Sequence, residues 1–228
     1  GEEYIWNAIK SMGHRGPDNH GACKISPNVA LGHARLSIIS RDSKSNQPFR
    51  SPDGRHTIVF NGEIYNYIEL RERLKGKWNF ETQSDTEVLL AAFVNWGIES
   101  LDMLKGMFSF GIWDNREKTL ILVRDRFGVK PLYYRIKKNE FEFASEIKGL
   151  WANNKSKTLN KTVCSSFLAY GSYGTPEETF WEGVQQVPAG HFVKCSRGEV
   201  TKCCWYKFED KVMAHQSNKN DEEYIEQL

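Results

Sequence analysis

The chain is short of cysteine, of long apolar runs and of excess charge of either sign, and each shortage removes a class of protein. Cys23, Cys164, Cys195 and the adjacent Cys203 and Cys204 are the only cysteines in 228 residues. They are too few and too irregular for a disulfide scaffold and show no metal-ligand spacing, so a reducing cytoplasm and no metal site are expected. No stretch approaches the roughly 20 apolar residues of a membrane helix, and no charged-then-apolar signal pattern opens the chain, so no membrane association is expected. The 31 basic and 29 acidic side chains leave a net charge of +2 with no basic stripe, which argues against nucleic acid and for a small ligand. What is present is ordinary: 39% apolar and 26% charged residues, enough for one large domain, or one domain plus a stub.

Along the chain, Tyr4, Ile5, Ala8, Ile9 and Met12 recur at helical spacing. Pro17, Asp18 and Gly21 then break the pattern, and Val29 to Ile39 reads as strand. His56 to Phe60 is a short apolar strand running into Asn61-Gly62, and the helical pattern from Ile64 to Leu74 makes this a strand-to-helix junction, not a hairpin. Ser84-Asp85-Thr86-Glu87 has the form of a capping box before the apolar run Val88 to Trp96. Short strands at Met107 to Trp113, Leu120 to Val123, Leu132 to Tyr134 and Glu140 to Phe143 predict an antiparallel meander. Helices are expected at Ser145 to Trp151 and Lys161 to Tyr170, and strands near His191 to Cys195 and Val200 to Trp205. Asp210 to Asn220 reads as a polar linker and Asp221 to Leu228 as the start of another helix. Grouped strands flanked by helices predict an α+β layered domain.

Four clusters could carry chemistry, and each has a plainer reading. His14-Arg15-Gly16-Pro17-Asp18 is a turn after a helix. Arg35 closes a strand, where its planar fork could bind a carboxylate or simply lie on the surface. Asn61 and the N–H of Gly62 could face a developing oxyanion, or Gly62 could only supply a turn. Asp85 could bind an ammonium group, or serve the helix dipole alone. Taken together, Arg35 for an α-carboxylate, Asp85 for an α-ammonium and Asn61 with Gly62 for an amide under attack make a site for an amino acid that still needs a nucleophile.

The stretches His14 to Asp18, Arg35 to Ile39, Gln47-Pro48, Phe60 to Tyr67, Ser84 to Leu90, Gly106 to Asp114, Arg124 to Tyr134, Phe143 to Leu150 and Phe180 to His191 closely resemble the class II glutamine amidotransferase domain of glutamine-hydrolysing asparagine synthetases. The resemblance runs nearly the whole chain, in order. Arg124 to Tyr133 and Val187 to His191 tilt it towards the asparagine synthetase branch, although Arg124 to Tyr133 itself reads as a tight structural turn stiffened by Pro131. It implies an α+β, four-layer αββα N-terminal-nucleophile sandwich of two antiparallel sheets flanked by helices. It implies L-glutamine as substrate, with an N-terminal cysteine attacking the amide and its own α-amino group acting as base. By the same resemblance Arg35 and Asp85 hold the two ends of glutamine, Asn61 and Gly62 form the oxyanion hole, and Glu63 with the backbone of Leu36 and Ile38 completes the pocket.

The chain departs from that pattern at both ends. Residue 1 is glycine with no Met-Cys-Gly-Ile opening, and no Ser-Gly-Gly-x-Asp-Ser pyrophosphatase loop occurs. The expectation is a domain at 1–209 whose first strand, bearing the cysteine, lies upstream, followed by a linker and the start of an ATP-dependent synthetase domain at 210–228. ATP and magnesium would belong to that synthetase domain, and no cofactor to this one. The polypeptide as it stands is expected to be inactive, and the alternative is a nucleophile-free binding or scaffolding relative. The expectation leaves room for a homodimer.

Overall fold

The computed structural model describes residues 2–36, 43–138, 140–153 and 157–214. Its strands are β1 (Asn19–Ser26), β2 (Val29–Arg35), β3 (Phe49–Arg50), β4 (His56–Ile64), β5 (Gly106–Asp114), β6 (Thr119–Arg124), β7 (Tyr133–Lys137), β8 (Glu140–Ala144), β9 (Val184–Gln186), β10 (His191–Ser196) and β11 (Glu199–Cys204). Its helices are α1 (Glu2–Ser11), α2 (Tyr67–Arg73), α3 (Asp85–Trp96), α4 (Ser100–Met103), α5 (Ile147–Leu150), α6 (Lys161–Tyr170) and α7 (Phe208–Ala214). One sheet has the strand order β11-β10-β6-β5-β4-β3, with every neighbouring pair antiparallel. Two smaller sheets, β1-β2 and β8-β7-β9, are also antiparallel.

Period-two alternation decides which layer each strand side chain joins. On one face of the large sheet, Ile58 and Phe60 of β4 and Phe108, Phe110 and Ile112 of β5 pack under α2, α3 and α4. Val88 to Ala92 of α3 have no exposed surface, and burying each large aliphatic side chain among them contributes roughly 1.5–3 kcal/mol. On the other face, Leu120, Leu122 and Val193 meet Leu132, Tyr134, Phe141 and Phe143 of the small sheets and their approaches. Beyond those, Ala144 and Leu150 pack with Met12 and Trp151, so α1 and α5 form the outermost layer. The order of layers is helices, sheet, sheet, helices, which is the α+β sandwich that the sequence leads one to expect.

Three local expectations change. Asn61 and Gly62 lie inside β4, opposite Ser109 and Phe108, and not at a strand-to-helix junction. Gly62 makes this pairing feasible: its φ is +150°, and a Cβ there would stand 2.1 Å from the Met107 carbonyl oxygen. The expected meander is divided, because β5 and β6 belong to the large sheet while β7 and β8 belong to a small one. The crossing is held by side chains: Asp125 accepts from the N–H groups of Phe108, Phe127, Val129 and Lys130, and Arg124 donates to the carbonyls of Gly128, Lys130 and Val187. Finally, α7 carries helix from Phe208 to Ala214, into the segment read as a polar linker from Asp210, and the Phe208 ring packs edge-on against Phe127 at 5.9 Å. Residues 215–228, including the expected C-terminal helix, lie outside the described residues.

A slot separates the small sheets. Among the described residues β2 pairs only with β1, and β8 only with β7, so each keeps one unpaired edge. Both edges line a cavity of about 790 Å³ with Val59, Gly111 and Trp113 of the large sheet on one side and Ile5 and Ala8 of α1 on the other.

Candidate functional site

The slot opens onto a second, smaller cavity of about 220 Å³, because both are lined by Arg15, His33, Ala34, Phe60 and Asn61. This pocket gathers Arg35, Leu36, Asn61, Gly62, Glu63 and Asp85, residues that lie on three separate elements and the loop after β2. Ile38, the remaining expected member, lies outside the described residues.

Asp85 opens α3, where Ser84 caps the helix by accepting from the N–H of Glu87. Its Oδ2 accepts from the N–H of Ile64 at 3.0 Å, which ties the helix to the end of β4. Burial nevertheless dominates and pushes its carboxyl up to about 6; the bonds from the Ile64 and Thr86 N–H groups oppose the rise and the charge of Glu63 adds to it. A buried carboxylate in this state favours a cationic partner. Arg35 ends β2, is only 8% exposed, and donates through Nη1 to Asn46 Oδ1 at 2.5 Å. Asn61 donates through Nδ2 to Ser145 Oγ at 3.5 Å, a long bond that leaves the amide weakly held.

Strand alternation identifies the edge on which the Gly62 N–H lies. The N–H of Phe60 donates to Gln47 Oε1 at 2.6 Å and that of Ile64 to Asp85, so the even residues of this stretch of β4 turn away from β5. Phe108, the partner of Gly62, uses its own N–H and carbonyl on Asp125, which is consistent with a pair that exchanges no ladder bonds. The N–H of Gly62 therefore sits between two anchored neighbours, at the pocket, where it can donate to a ligand oxygen.

His33 lies at the junction of slot and pocket with Nε2 2.9 Å from the Phe60 carbonyl, and its Nδ1 is buried without a partner. Burial, aided by the charge of Arg35 and opposed by the bond to Phe60, pushes its pKa down to about 4, so the ring is neutral near pH 7. Since a carbonyl can only accept, the proton resides on Nε2. The His14-Arg15 turn is tied to the approach to α5: Arg15 Nη1 and His14 Nε2 both lie 2.9 Å from Glu146 Oε1. Against the upward push of burial, bonds from Arg15, Lys148 and His14 hold Glu146 down to about 2.

Sequence reasoning did not assign Arg15, His33, Gln47, Thr86 or Lys130 to the pocket they help to line. Arg15 and Lys130 stood in segments read as turns, and a side chain that bonds a distant backbone, as Gln47 does, leaves no periodic signal.

The sheet edges of the α+β sandwich thus open onto a pocket that holds a buried carboxylate, an arginine and a strand N–H. Residues 1–206 match the model of the "Glutamine amidotransferase domain" family, and the chain belongs to that family. Asparagine synthetase [glutamine-hydrolyzing] 1 of Bacillus subtilis is 37% identical over 220 residues, covering 96% of this chain and 34% of the relative. Amidase chry2 of Gibberella zeae is 35% identical over 198 residues, covering 86% of this chain and 29% of the relative. The chain thus spans about a third of the length of these curated relatives. Among solved structures, the glutamine phosphoribosylpyrophosphate amidotransferase of B. subtilis superimposes with a TM-score of 0.65 over 90% of this chain and 47% of that one, at 19% identity, a likeness of fold.

Proposed function

We propose that this domain hydrolyses glutamine for a linked synthetase domain, and that its nucleophile arrives on an upstream strand seated in the slot between β2 and β8. The observation that carries the reading is the assembly, around one 220 Å³ pocket, of Arg35, Asp85 and the Gly62 N–H. These are counterparts for the carboxylate, the ammonium and the amide oxygen of an amino-acid amide. Neighbouring strands lie about 4.8 Å apart, so a strand between two unpaired edges needs a gap of about 10 Å, and its leading cysteine would sit beside Asn61 where slot and pocket meet.

In this reading the sulfur of the cysteine thiol forms a bond to the side-chain carbonyl carbon of glutamine as its S–H bond breaks. Its proton passes to the terminal α-amino group, which is suited to that role by an ordinary pKa of about 7.7–8.0. The electron pair displaced onto the carbonyl oxygen is held by the Gly62 N–H and Asn61 Nδ2. As the carbon–nitrogen bond breaks, the leaving nitrogen takes that proton and departs as ammonia. Water then cleaves the thioester, giving glutamate and restoring the thiol. Glu63, Leu36 and the segment containing Ile38 close the pocket around the substrate. Ammonia would pass to a carboxylate activated with ATP and magnesium in the synthetase domain, aspartate being the first acceptor to try. The reading carries with it a cytoplasmic setting.

The test compares the 228-residue chain with a chain extended upstream by a strand beginning in cysteine. Glutamate release by the extended chain and none by the shorter one is the expected result. Glutamine binding without hydrolysis by the extended chain would instead favour a binding or scaffolding relative. Asparagine and AMP production by a chain extended at both ends tests the coupling.

A further inference from the structure

Gln47 is buried, 7% exposed, and has no part in the chemistry just described. Its bonds nevertheless converge on the oxyanion segment. β3 pairs with β4 only opposite Ile58 and Thr57, so beyond that point the edge of β4 runs on past its short neighbour. The Gln47 side-chain amide substitutes for the next peptide: Oε1 accepts the Phe60 N–H at 2.6 Å and Nε2 donates to the Phe60 carbonyl at 3.2 Å. Nε2 also lies 3.4 Å from Thr86 Oγ1, beside Asp85. His33 Nε2 supplies a second bond to the same Phe60 carbonyl. Gln47's own backbone is pressed against β1, where a Cβ on Gly21 would stand 2.0 Å from the Gln47 carbonyl oxygen.

We propose that Gln47 is a positioning residue for the oxyanion hole: its amide acts as a one-residue surrogate strand that orients the Phe60 peptide and, two residues on, the Gly62 N–H. The proposal rests on the glutaminase reading above. Asp85 anchors the other side of Gly62 through Ile64, and the Gln47 bond to Thr86 links this edge to the helix that carries Asp85. The separation between the oxyanion donor and the ammonium site is thereby set from both sides. A side chain that merely filled core volume would need none of these polar contacts.

The test uses Gln47→Met, which keeps volume and loses every bond, and Gln47→Glu, which keeps length and one acceptor and loses the donors. In the chain extended by the cysteine strand, kcat for glutamine should fall roughly tenfold to hundredfold while KM stays within about threefold, because misorientation acts on the transition state. Affinity for the γ-aldehyde analogue of glutamine, whose thiol adduct carries the oxyanion, should fall by the same factor as kcat. In the chain of 228 residues, amide hydrogen exchange at Phe60, whose N–H donates to Gln47, should quicken in both variants while α6 is unchanged. Unaltered kcat in folded variants, equal losses in glutamine and aldehyde binding, or exchange that quickens throughout the sandwich would overturn the proposal. If the unsubstituted extended chain hydrolyses no glutamine, the functional reading fails by itself. Exchange then decides the anchoring: local quickening at Phe60 supports it and unchanged rates reject it.

Discussion

At Asp85, burial and hydrogen bonding pull in opposite directions, and the outcome has a sign that can be measured. The carboxyl titrates near 6 in the fold against an ordinary value of 3.8. The folded state therefore keeps this proton to higher pH than the unfolded chain. Its penalty is absent below about pH 4 and grows as pH rises through about 6, approaching ~3 kcal/mol at about 1.4 kcal/mol for each pH unit. Urea unfolding of the ligand-free chain should show this decline, and Asp85→Asn should flatten it. A bound ammonium reverses the preference, since it favours the ionised form. Glutamine affinity should weaken about tenfold for each pH unit below about 6 and level off above it, as titration calorimetry can read. A pH-independent affinity would remove Asp85 from the ammonium site. Other pocket residues should separate by kinetic signature in the extended chain. Arg35→Ala should weaken capture about tenfold to hundredfold, the effect of a lost hydrogen bond to a charged group. Asn61→Ala should lower kcat by roughly 10²–10³ with little change in KM, and a change in KM alone would make it a ground-state contact.

At the level of elements, the start of α3 is more heavily bonded than its four-residue signature suggested. Ser84 caps the helix as expected, but Glu87 does not simply return a bond to Ser84. Its carboxylate accepts from the N–H groups of Glu81 and Thr82, the Thr82 hydroxyl and the Trp78 indole. Ser84→Ala should cost about 1 kcal/mol, an ordinary cap loss. Glu87→Ala leaves several buried donors unpaired and should cost well over ~3 kcal/mol in chemical denaturation; equal losses would mean that water replaces the carboxylate. The contrast illustrates what the sequence could reveal. Local rules placed α1, α3 and α6, the strands of the large sheet other than β3, Arg35 at a strand end and Asp85 at a helix start, because caps and apolar periods are written in adjacent residues. They missed β1, none of whose residues is buried and which carries little apolar alternation. They also missed the true place of Asn61-Gly62, because a glycine in a strand and a glycine in a turn look alike until the opposing carbonyl of Met107 is known.

Across the whole molecule, the slot is the feature bordered at once by both small sheets, the large sheet and α1. Filling it adds strand neighbours to both β2 and β8 and covers apolar surface of α1 and the large sheet. The chain extended by the cysteine strand should unfold at higher temperature and with a steeper urea dependence than the 228-residue chain, since more surface is exposed on unfolding. Equal midpoints and slopes would mean that the strand does not seat there. The slot and the pocket share the walls formed by His33, Phe60 and Asn61, so an occupant of one touches residues that line the other. Coupling between two binding events is reciprocal: if the seated strand tightens glutamine capture by some factor, glutamine must tighten the seating of the strand by the same factor. A substrate held against that common wall would then work as an intramolecular clasp, making the grip of the fold on its own nucleophile strongest while the amide is being cleaved and looser once glutamate has left.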